Sequence, residues 1–491
     1  MIRDLSALAG RRHDVLVIGG GIYGAAAAWD AAQRGLEVAL VEAADFGGAT
    51  SWNSLKTVHG GLRHLQRAEL GLLRESVRER RALLRIAPEL VRPLPFLVPA
   101  RGHGARGREV LYAGLLVNEL LGADRNRGVP EGRRLPRLRL LSPDGVRARA
   151  PGIDPVGLTG GVLWHDAQVV SSERLLLALL HAAAGAGAVL ANRAEVVALR
   201  REGGRVVGAE VRDGSGGERL EVTAGAILNA AGPAAERVWR MAGVERPGVP
   251  LRGAVNLVLR RQPLRDTALG ALSAGRYLFL VPWRDRSIAG TAYGDPGAAP
   301  EELAGHLLRE LAAAFPWAGL GPDDVALVHY GRVPGDARRL WSTSRLVDHE
   351  AEDGAAGLIT AFGAKYTTAR AVAERAVDLA LRRLGRDPVP CRTARTPLPA
   401  ARLPEGPLAD QARRAVREEQ ALGLDDVVLR RLELGAAGAP PAAALDDVAR
   451  AVAGELGWTA ERLRAERRAL DERLAAPSLP RIARGAERTP E

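Results

Sequence analysis

A short strand, a glycine-rich turn, a helix and a second strand follow one another in DVLVIGGGIYGAAAAWDAAQRGLEVALVEAAD, residues 14–45. The runs DVLVIG and EVALVEA are short and apolar, which is typical of fully buried strands. The alanine-rich segment between them has helical composition and stops at Gly35. This order predicts a βαβ unit, and therefore a parallel sheet with helices on its faces.

The turn of this unit contains the spacing G-x-G-x-x-G, formed by Gly19, Gly21 and Gly24. The first glycine permits a tight turn, the second lets the backbone approach a pyrophosphate, and the third lets the helix pack against the strand. A phosphate then lies at the helix N-terminus, where the dipole favours negative charge. Glu42 ends the second strand and is expected to bind ribose hydroxyls, which disfavours a 2′-phosphate. The segment predicts a dinucleotide site, with a purely structural turn as the alternative.

The composition limits the class of protein. A chain of 491 residues predicts two or three domains, and 47% hydrophobic with 26% charged residues is ordinary for a globular protein. The single cysteine, Cys391, excludes an internal disulfide and fits a reducing cytosol. The net charge is +11, but the arginines are interleaved with acidic residues and aromatic residues make up only 4%. We therefore expect no nucleic-acid partner.

The sequence also bears on the membrane. It has no run of about 20 uncharged apolar residues and no secretory signal at its start, so we expect a cytoplasmic protein. Residues 108–127, REVLYAGLLVNELLGADRNR, predict a helix with an apolar side flanked by arginines. Such a helix either packs on its own domain or attaches the protein peripherally to the cytoplasmic face of a membrane. The oligomeric state is open between a monomer and a homodimer.

Lysine occurs only at Lys56 and Lys365, although lysine and arginine together number 69. An ammonium group is a compact charge with movable donors, and a planar guanidinium does not replace it. The two positions are therefore candidates for a specific role, with chance in an arginine-rich chain as the alternative.

Motifs beyond the βαβ unit carry a family resemblance. They are EAADFGGATSWNSLKTVHGGLRHLQ (42–66), LNAAGPAAERV (228–238), VPW and IAGT within 281–291, SRLVDH (344–349) and FGAKYTT (362–368). In them the chain resembles the FAD-dependent glycerol-3-phosphate dehydrogenases and oxidases, within the D-amino-acid-oxidase-like flavoproteins. The resemblance extends weakly into 415–435 and so covers nearly the whole chain. It implies oxidation of sn-glycerol 3-phosphate to dihydroxyacetone phosphate by hydride transfer to FAD, with quinone or oxygen as electron acceptor.

Together these features predict an α/β fold of three domains. They are a Rossmann-like FAD-binding domain (1–75, 160–245 and 335–390), an α+β substrate or cap domain (76–159 and 246–334) and a C-terminal helical domain (391–475). Residues 195–232 are predicted to form a β-meander that returns to the main sheet. The Pro- and Arg-rich stretch 93–160 is predicted to be irregular, and residues 476–491 are predicted to be a disordered tail.

The resemblance implies two groups of site residues. Cofactor contacts are expected at Gly19, Gly21, Ile22, Tyr23, Gly24, Glu42, Ala49, Thr50, Ser51, Lys56, His59, Gly60, Gly61, Asn229, Ala231, Gly232, Gly363, Lys365, Tyr366, Thr367 and Thr368. The catalytic candidates are Lys365, Arg63, Arg345, His64 and Arg332. Arg63 and Arg345 are expected to hold the phosphate, with surface ion pairs as the alternative.

The chain departs from the family pattern at three of its motifs. The family usually has Gly-Val-Arg-Pro where this chain has Gly331-Arg332-Val333-Pro334, and a one-residue shift in a strand turns a side chain to the other face. His64 replaces a tyrosine, and Val255 takes the place of a histidine, which leaves His64 and Lys365 as rival proton acceptors. The departures keep an amine, amino-acid or other hydroxy-compound oxidase open, and, as a third reading, a flavoprotein with a structural or nucleic-acid-associated role.

Overall fold

The computed structural model describes most of the chain. It covers residues 1–65, 67–104, 107–273, 275–295, 297–336, 340–399, 401–475 and 479, except for the side chains of residues 63 and 65. The tail expected at 476–491 lies outside the described residues apart from Leu479.

The elements alternate along the chain. The strands are β1 (His13–Ile18), β2 (Val38–Val41), β3 (Thr57–Val58), β4 (Val91–Arg101), β5 (Arg139–Leu141), β6 (Leu158–Val169), β7 (Val189–Ala191), β8 (Ala194–Glu202), β9 (Arg205–Asp213), β10 (Arg219–Asn229), β11 (Leu251–Leu259), β12 (Ala268–Ser273), β13 (Arg276–Trp283), β14 (Arg286–Gly294), β15 (Val325–Pro334), β16 (Arg345–Asp348) and β17 (Leu358–Phe362). The helices are α1 (Leu5–Ala9), α2 (Ile22–Gln33), α3 (Leu62–Leu65), α4 (Leu70–Ile86), α5 (Arg108–Leu121), α6 (Pro143–Arg149), α7 (Ser172–Gly185), α8 (Ala235–Met241), α9 (Pro300–Ala314), α10 (His349–Asp353), α11 (Ala369–Arg383), α12 (Leu408–Glu419), α13 (Ala442–Leu456) and α14 (Ala460–Leu474), with a π-helical turn at Asp426–Arg431.

The first sheet is built around the predicted βαβ unit. Its strand order is β16-β17-β10-β1-β2-β7. The pairs from β17 to β7 are parallel, and β16 joins β17 antiparallel at the edge. The expected meander is confirmed, because β8, β9 and β10 pair antiparallel in sequence and β10 then enters the sheet beside β1. The doubly covered parallel sheet explains why DVLVIG and EVALVEA are apolar on both faces.

Two layers cover this sheet. Helices α2, α7 and α11 pack on one face, where the alanines of α2 allow close approach and Trp29 is fully buried. On the other face α1, α8 and the meander enclose Trp239. Burying both faces leaves only the strand ends open for binding, as in other doubly wound sheets.

A second, mostly antiparallel sheet forms the other half of the molecule. Its order is β15-β11-β14-β13-β12-β4-β6-β3, with β5 also paired to β6. Helix α9 covers one face over an aliphatic core, and α5 packs through Leu115 on an aromatic cluster that contains Phe96 and Trp164. No helix within the described residues is long and apolar enough to cross a bilayer.

The stretch 93–160 is not irregular, and the prediction was wrong there. Its first part is β4, which pairs along its whole length with β6. Pro93, Pro95 and Pro99 share one parity, so the N–H groups they lack all point to the same side of the strand. On the side away from β6, β4 pairs with β12 only at Phe96 and Leu97, so few ladder hydrogen bonds form there. A strand tolerates proline when the missing N–H donors face such a side.

The C-terminal helices are tied to the first sheet by a buried ionic cluster. Asp45, just after β2, accepts hydrogen bonds from Arg430 Nε at 2.5 Å and from Arg431 at 2.7 and 2.9 Å. All three residues are buried. The two guanidinium groups hold the pKa of Asp45 below its usual range against the opposing effect of burial. Because unpaired buried charges are costly, this cluster fixes the C-terminal helices against the loop that follows β2.

Two expected domain boundaries fall inside elements. Residue 75 lies within α4, whose Leu83, Leu84 and Ile86 belong to the core of the first sheet. Residue 160 lies within β6, which belongs wholly to the second sheet. The chain therefore crosses between the halves at the ends of these elements.

Candidate active site

A cleft opens where the parallel strands end. The loops after β1, β2, β10 and β17 converge there, because the carboxyl ends of parallel strands share one edge of the sheet. The cleft has a volume of about 780 Å³, and Tyr330 and Arg332 of β15 contribute its far wall from the second sheet. Thr50 joins the two sides, since its Oγ1 donates to the carbonyl of Arg332 at 3.1 Å and accepts from its N–H at 3.3 Å.

The glycine turn has the geometry that the spacing predicts. Gly19 has φ +108°, and a Cβ there would lie 2.6 Å from the carbonyl oxygen of Ala230. A Cβ on Gly24 would lie 1.9 Å from the oxygen of Gly19, so only glycine lets α2 pack this closely. Gly21 is the N-cap residue of α2 and lines the cleft, so the positive end of the helix dipole faces the cleft.

Glu42 is fixed at the mouth of the nucleotide half. Its Oε2 accepts from the N–H of Gly20 at 2.7 Å, and its Oε1 accepts from the N–H of Ala44 at 2.9 Å. Burial raises the pKa of this carboxyl, and the two backbone hydrogen bonds oppose the rise. A carboxylate held in this way keeps free lone pairs for two vicinal hydroxyls. The cradle of glycines, the helix terminus and the acid together fit an extended FAD.

Tyr23 holds the turn after β17 in place. Its hydroxyl donates to the carbonyl of Lys365 at 2.7 Å, accepts from the N–H of Lys365 at 3.2 Å and lies 3.0 Å from Ser344 Oγ. Ser344 Oγ in turn accepts from the N–H of Ala364 at 3.0 Å. A Cβ on Gly363 would overlap the Tyr23 ring at 2.1 Å, so glycine is required at this contact. The turn is thereby clamped to the helix that begins the nucleotide site.

Lys365 lines the cleft and contacts the second catalytic candidate. Its Nζ lies within hydrogen-bonding distance of His64 Nε2, and the opposite ring nitrogen, Nδ1, is 2.6 Å from Glu69 Oε2. Burial lowers the pKa of His64, and the positive charge of Lys365 acts in the same direction, whereas the hydrogen bond to Glu69 opposes the change. His64 itself is buried behind Lys365 and does not line the cleft.

Lys56 is placed differently from its expected cofactor contact. Its side chain is 0% exposed, and Nζ donates to Glu173 Oε1 at 2.6 Å, Ser172 Oγ at 2.7 Å and the carbonyl of Trp52 at 3.1 Å. The ammonium also lies 5.6 Å from the centre of the Trp283 ring. Three donors facing three acceptors leave Lys56 nothing to offer a ligand.

The predicted site residues divide into those that line the cleft and those that do not. Those that line the cleft are Gly19, Gly21, Ile22, Tyr23, Glu42, Ala49, Thr50, Ser51, Ala231, Gly232, Arg332, Gly363, Lys365 and Tyr366. Those that do not line it are Gly24, Lys56, His59, Gly60, Gly61, His64, Asn229, Arg345, Thr367 and Thr368. Asn229 illustrates the second group, since its amide braces the turn after β10 by donating to the carbonyl of Ala235 at 2.9 Å and to Thr360 Oγ1 at 3.1 Å.

The three candidate arginines also differ. Arg332 lies on the far wall of the cleft with an exposed side chain. Arg345 is exposed on β16, and its guanidinium stacks over Trp341 at 3.9 Å from the ring centre. Its backbone pairs with Phe362, one residue before the Gly363 turn, so it stands at the rim. The side chain of Arg63 lies outside the described residues.

Several site residues were not predicted from the sequence. Ser344 and Glu69 hold the turn and the histidine, and Leu429 and Arg473 bring the C-terminal helices to the cleft. Arg473 pairs with Asp425 beside the buried ionic cluster. No local sequence pattern predicts these positions. Ser344, Leu429 and Arg473 contact or line parts of the site that are distant in sequence. Glu69 reaches His64 through a turn in which the N–H of Glu69 donates to the carbonyl of His64.

Comparisons with known proteins agree with this geometry. The sequence pattern of the family described as "FAD dependent oxidoreductase" matches residues 14–379. A glycerol-3-phosphate dehydrogenase of Synechocystis is 32% identical over 426 residues, covering 82% of this chain and 75% of the relative. A glycerol-3-phosphate dehydrogenase of Mycobacterium leprae is 35% identical over 381 residues, covering 75% of this chain. The match spans 63% of that mycobacterial relative's length.

Solved structures show the same fold. The crystal structure of the glycerol-3-phosphate dehydrogenase from Bacillus halodurans complexed with FAD superposes with a TM-score of 0.75 at 23% identity, covering 96% of both chains. An L-α-glycerophosphate oxidase from Mycoplasma pneumoniae with FAD bound superposes with a TM-score of 0.57 at 18% identity, covering 79% of this chain and 99% of that one. The predicted α/β fold with its Rossmann-like FAD domain is confirmed.

Proposed function

The chain belongs to the FAD-dependent oxidoreductase family and, within it, groups with the glycerol-3-phosphate dehydrogenases; from that premise we propose that it oxidises sn-glycerol 3-phosphate to dihydroxyacetone phosphate. The observation that carries the proposal is the position of Lys365. It lines one continuous cleft with the glycine turn, Glu42 and Arg332. A dinucleotide cradle, an amine and a guanidinium thus face the same space.

The residues of the chain divide the work of this reaction. When bound, FAD supplies the hydride acceptor, and Gly19, Gly21 and Glu42 hold its ADP half. Lys365 accepts the hydroxyl proton of the substrate, and the Tyr23 clamp keeps its backbone fixed while it does so. Arg332 holds the phosphate from the far wall, with Arg345 at the rim as a second cation.

Anaerobic reduction of the bound flavin tests the substrate. We expect sn-glycerol 3-phosphate to bleach the yellow holoprotein, and glycerol, which has a third hydroxyl in place of the phosphate, to act far more slowly. The panel includes glycine, L-proline and L-lactate. Bleaching by an amino acid but not by sn-glycerol 3-phosphate would reject the proposed substrate in favour of the amine or amino-acid oxidase alternative.

The electron acceptor forms the finer part of the proposal. We propose that electrons pass to a quinone in a bilayer rather than to oxygen, with α5 as the membrane contact. Its Val110, Leu116, Val117 and Leu120 are between 42% and 69% exposed, and they lie on one side of the helix at helical spacing. An exposed apolar stripe on a chain of net charge +11 suits an anionic lipid surface.

Vesicles test this contact. We expect the protein to float with phosphatidylglycerol vesicles at low salt, and a V117D/L120D variant to float less while its flavin is reduced by substrate at the original rate. Reduced protein should reoxidise faster with a soluble quinone than with oxygen. Rapid reoxidation by oxygen without flotation would instead indicate a soluble oxidase.

A further inference from the structure

A row of three side chains leads from the wall of the cleft to solvent. We propose that Lys365, His64 and Glu69 form a proton relay that carries the proton of the Lys365 ammonium to water, so that a neutral amine is available to the substrate. This inference rests on the proposed function and deepens it, because it assigns the route by which the hydroxyl proton leaves. Glu69 and His64 act through Lys365 and are positioning and relay residues.

The local backbone places the two relay residues side by side. The short helix α3 holds His64, whose N–H donates to the carbonyl of Gly61 at 2.8 Å. The chain then turns back, and the N–H of Glu69 donates to the carbonyl of His64, also at 2.8 Å. The carboxylate of Glu69 therefore reaches the ring of a residue five positions earlier, at 2.6 Å from Nδ1. The opposite end of the row is fixed by the hydroxyl of Tyr23 on the backbone of Lys365.

The charges around His64 determine its resting state. Three groups face it: Glu69, Lys365 from the turn after β17, and Arg67 from the turn before α4. Burial and the two cations disfavour the imidazolium, and its pKa is lowered in spite of Glu69. A neutral ring with Glu69 on one side must carry its hydrogen on Nδ1, donated to the carboxylate, and must accept from Lys365 at Nε2. This tautomer aligns both hydrogen bonds from the cleft towards Glu69.

Proton transfer along this row balances in two stages. In the first, an N–H bond of the Lys365 ammonium breaks as an N–H bond forms at His64 Nε2, and the Nδ1–H proton passes to Glu69 and from there to water. In the second, the neutral Lys365 amine takes the hydroxyl proton of the substrate and becomes an ammonium again. The ring returns to its starting tautomer by proton exchange with water, in which Nδ1 gains one proton through Glu69 and Nε2 loses one. The net transfer is one proton from substrate to solvent.

The exposure of the three side chains supports a direction of transfer. The His64 side chain is 4% exposed, whereas that of Glu69 is 31% exposed. The buried His64 ring therefore lies between the cleft and a carboxylate that water reaches, which gives the proton a path to solvent. The Lys56–Glu173 pair has the same two end groups and no such exit, since both of its side chains are at most 1% exposed.

The Glu69→Gln variant tests the relay. Glutamine still accepts the hydrogen bond of Nδ1–H, but it cannot take the proton. We expect normal FAD content and a flavin reduction by substrate that is about 10- to 100-fold slower at neutral pH. The rate should recover towards that of the wild type as pH rises, because water then deprotonates the Lys365 ammonium directly. A merely electrostatic role predicts the opposite sign, because loss of the carboxylate charge favours the neutral amine. The matched control is Glu75→Gln, on α4 six residues further along the chain, where Glu75 pairs with Arg375 at 2.6 Å. Wild-type rates for Glu69→Gln at every pH would overturn the relay.

A second measurement needs no substrate. Because the chain has two lysines, a ¹³Cε-lysine spectrum of the holoprotein contains two side-chain signals, with Lys56 as an internal reference. We expect His64→Gln to shift the Lys365 signal and to leave the Lys56 signal in place. An unmoved Lys365 signal would overturn the relay, whatever the substrate. Failure of sn-glycerol 3-phosphate to reduce the flavin would overturn only the proposed function, and the rates would then be measured with the panel compound that does reduce it.

Discussion

The two lysines of the chain occupy contrasting environments. Lys56 is enclosed on all sides, and its three donors meet Glu173, Ser172 and the carbonyl of Trp52. Lys365 lines the cleft, and its ammonium contacts the ring of a buried histidine that is linked to solvent through Glu69. One lysine is part of the scaffold, and the other faces the ligand space.

This difference separates two reasons for retaining lysine in an arginine-rich chain. At Lys56 a point charge on a slim stem fits a sealed pocket that would not hold a planar guanidinium without rearrangement. At Lys365 the amine can lose a proton, which arginine does not do in proteins. Motif position alone treats the two as equivalent, whereas burial and hydrogen-bond partners distinguish them.

The largest expected effect is on the scaffold side. Lys56→Met leaves the Glu173 carboxylate buried without its partner, which typically costs about 3–5 kcal/mol. We expect this loss in the free energy of unfolding measured in urea. Arg11→Met is the matched control, because the Arg11–Glu37 pair at 2.9 Å has both side chains over 40% exposed and should contribute under about 1 kcal/mol.

A double variant tests whether the loss of stability comes from the unpaired Glu173 carboxylate. Lys56→Met with Glu173→Leu removes both charges, and we expect it to recover much of the lost stability. If Lys56→Met alone were as stable as the wild type, the buried pair would not have the structural role that its geometry indicates.

The next effect is on the ligand side and concerns rate. Lys365→Arg keeps a positive charge but removes the group that can accept a proton. We expect FAD content and the urea midpoint to stay unchanged, while flavin reduction by substrate slows about 100-fold or more. We expect the reverse for Lys56→Arg: a lower urea midpoint and an unchanged rate of flavin reduction. A Lys365→Arg protein that is as fast as the wild type would mean that this lysine, too, is not catalytic.

Local patterns predicted the βαβ unit and its glycine turn. The contact of Gly19 with Ala230 is long-range, whereas the contacts of Gly24 with Gly19 and of Glu42 with Gly20 lie within one βαβ unit of about 30 residues. The same holds for the apolar strands and for the meander that leads to β10. In each case the residues that decide the structure are neighbours in sequence.

Prediction was weaker where distant segments meet. Glu173, the partner of Lys56, is 117 residues away in sequence. Ser344, whose hydroxyl contacts that of Tyr23, is 321 residues away. The prolines of β4 suggested an irregular segment because the pairing with β6 that stabilises the strand is long-range. Arg473 reaches the cleft from helices that are held by the buried cluster around Asp45 and by an apolar core shared with Trp52 and Trp283. Pairings of this kind depend on tertiary packing, which a single sequence does not display.

The smallest expected effect is a pH dependence of stability that comes from a buried histidine on the scaffold side. His329 is buried beside Lys56, Glu173 and the carbonyl of Ser54, and burial with the Lys56 charge lowers its pKa to about 4. The unfolded chain, with a histidine pKa near 6.5, therefore binds more protons than the folded protein between about pH 6.5 and pH 4. The stability contributed by neutral His329 is complete above pH 6.5 and is lost as pH falls through this window, by at most about 1.4 kcal/mol per pH unit. We expect His329→Leu to flatten this part of the slope in urea unfolding and His103→Leu, at an exposed histidine, to leave it unchanged. Burial lowers the pKa of His64 as well, so His64 adds to the same slope, and its titration should in addition appear in the rate of flavin reduction. A His329→Leu protein with the wild-type stability slope would contradict the expectation that its buried site keeps His329 neutral through this pH window.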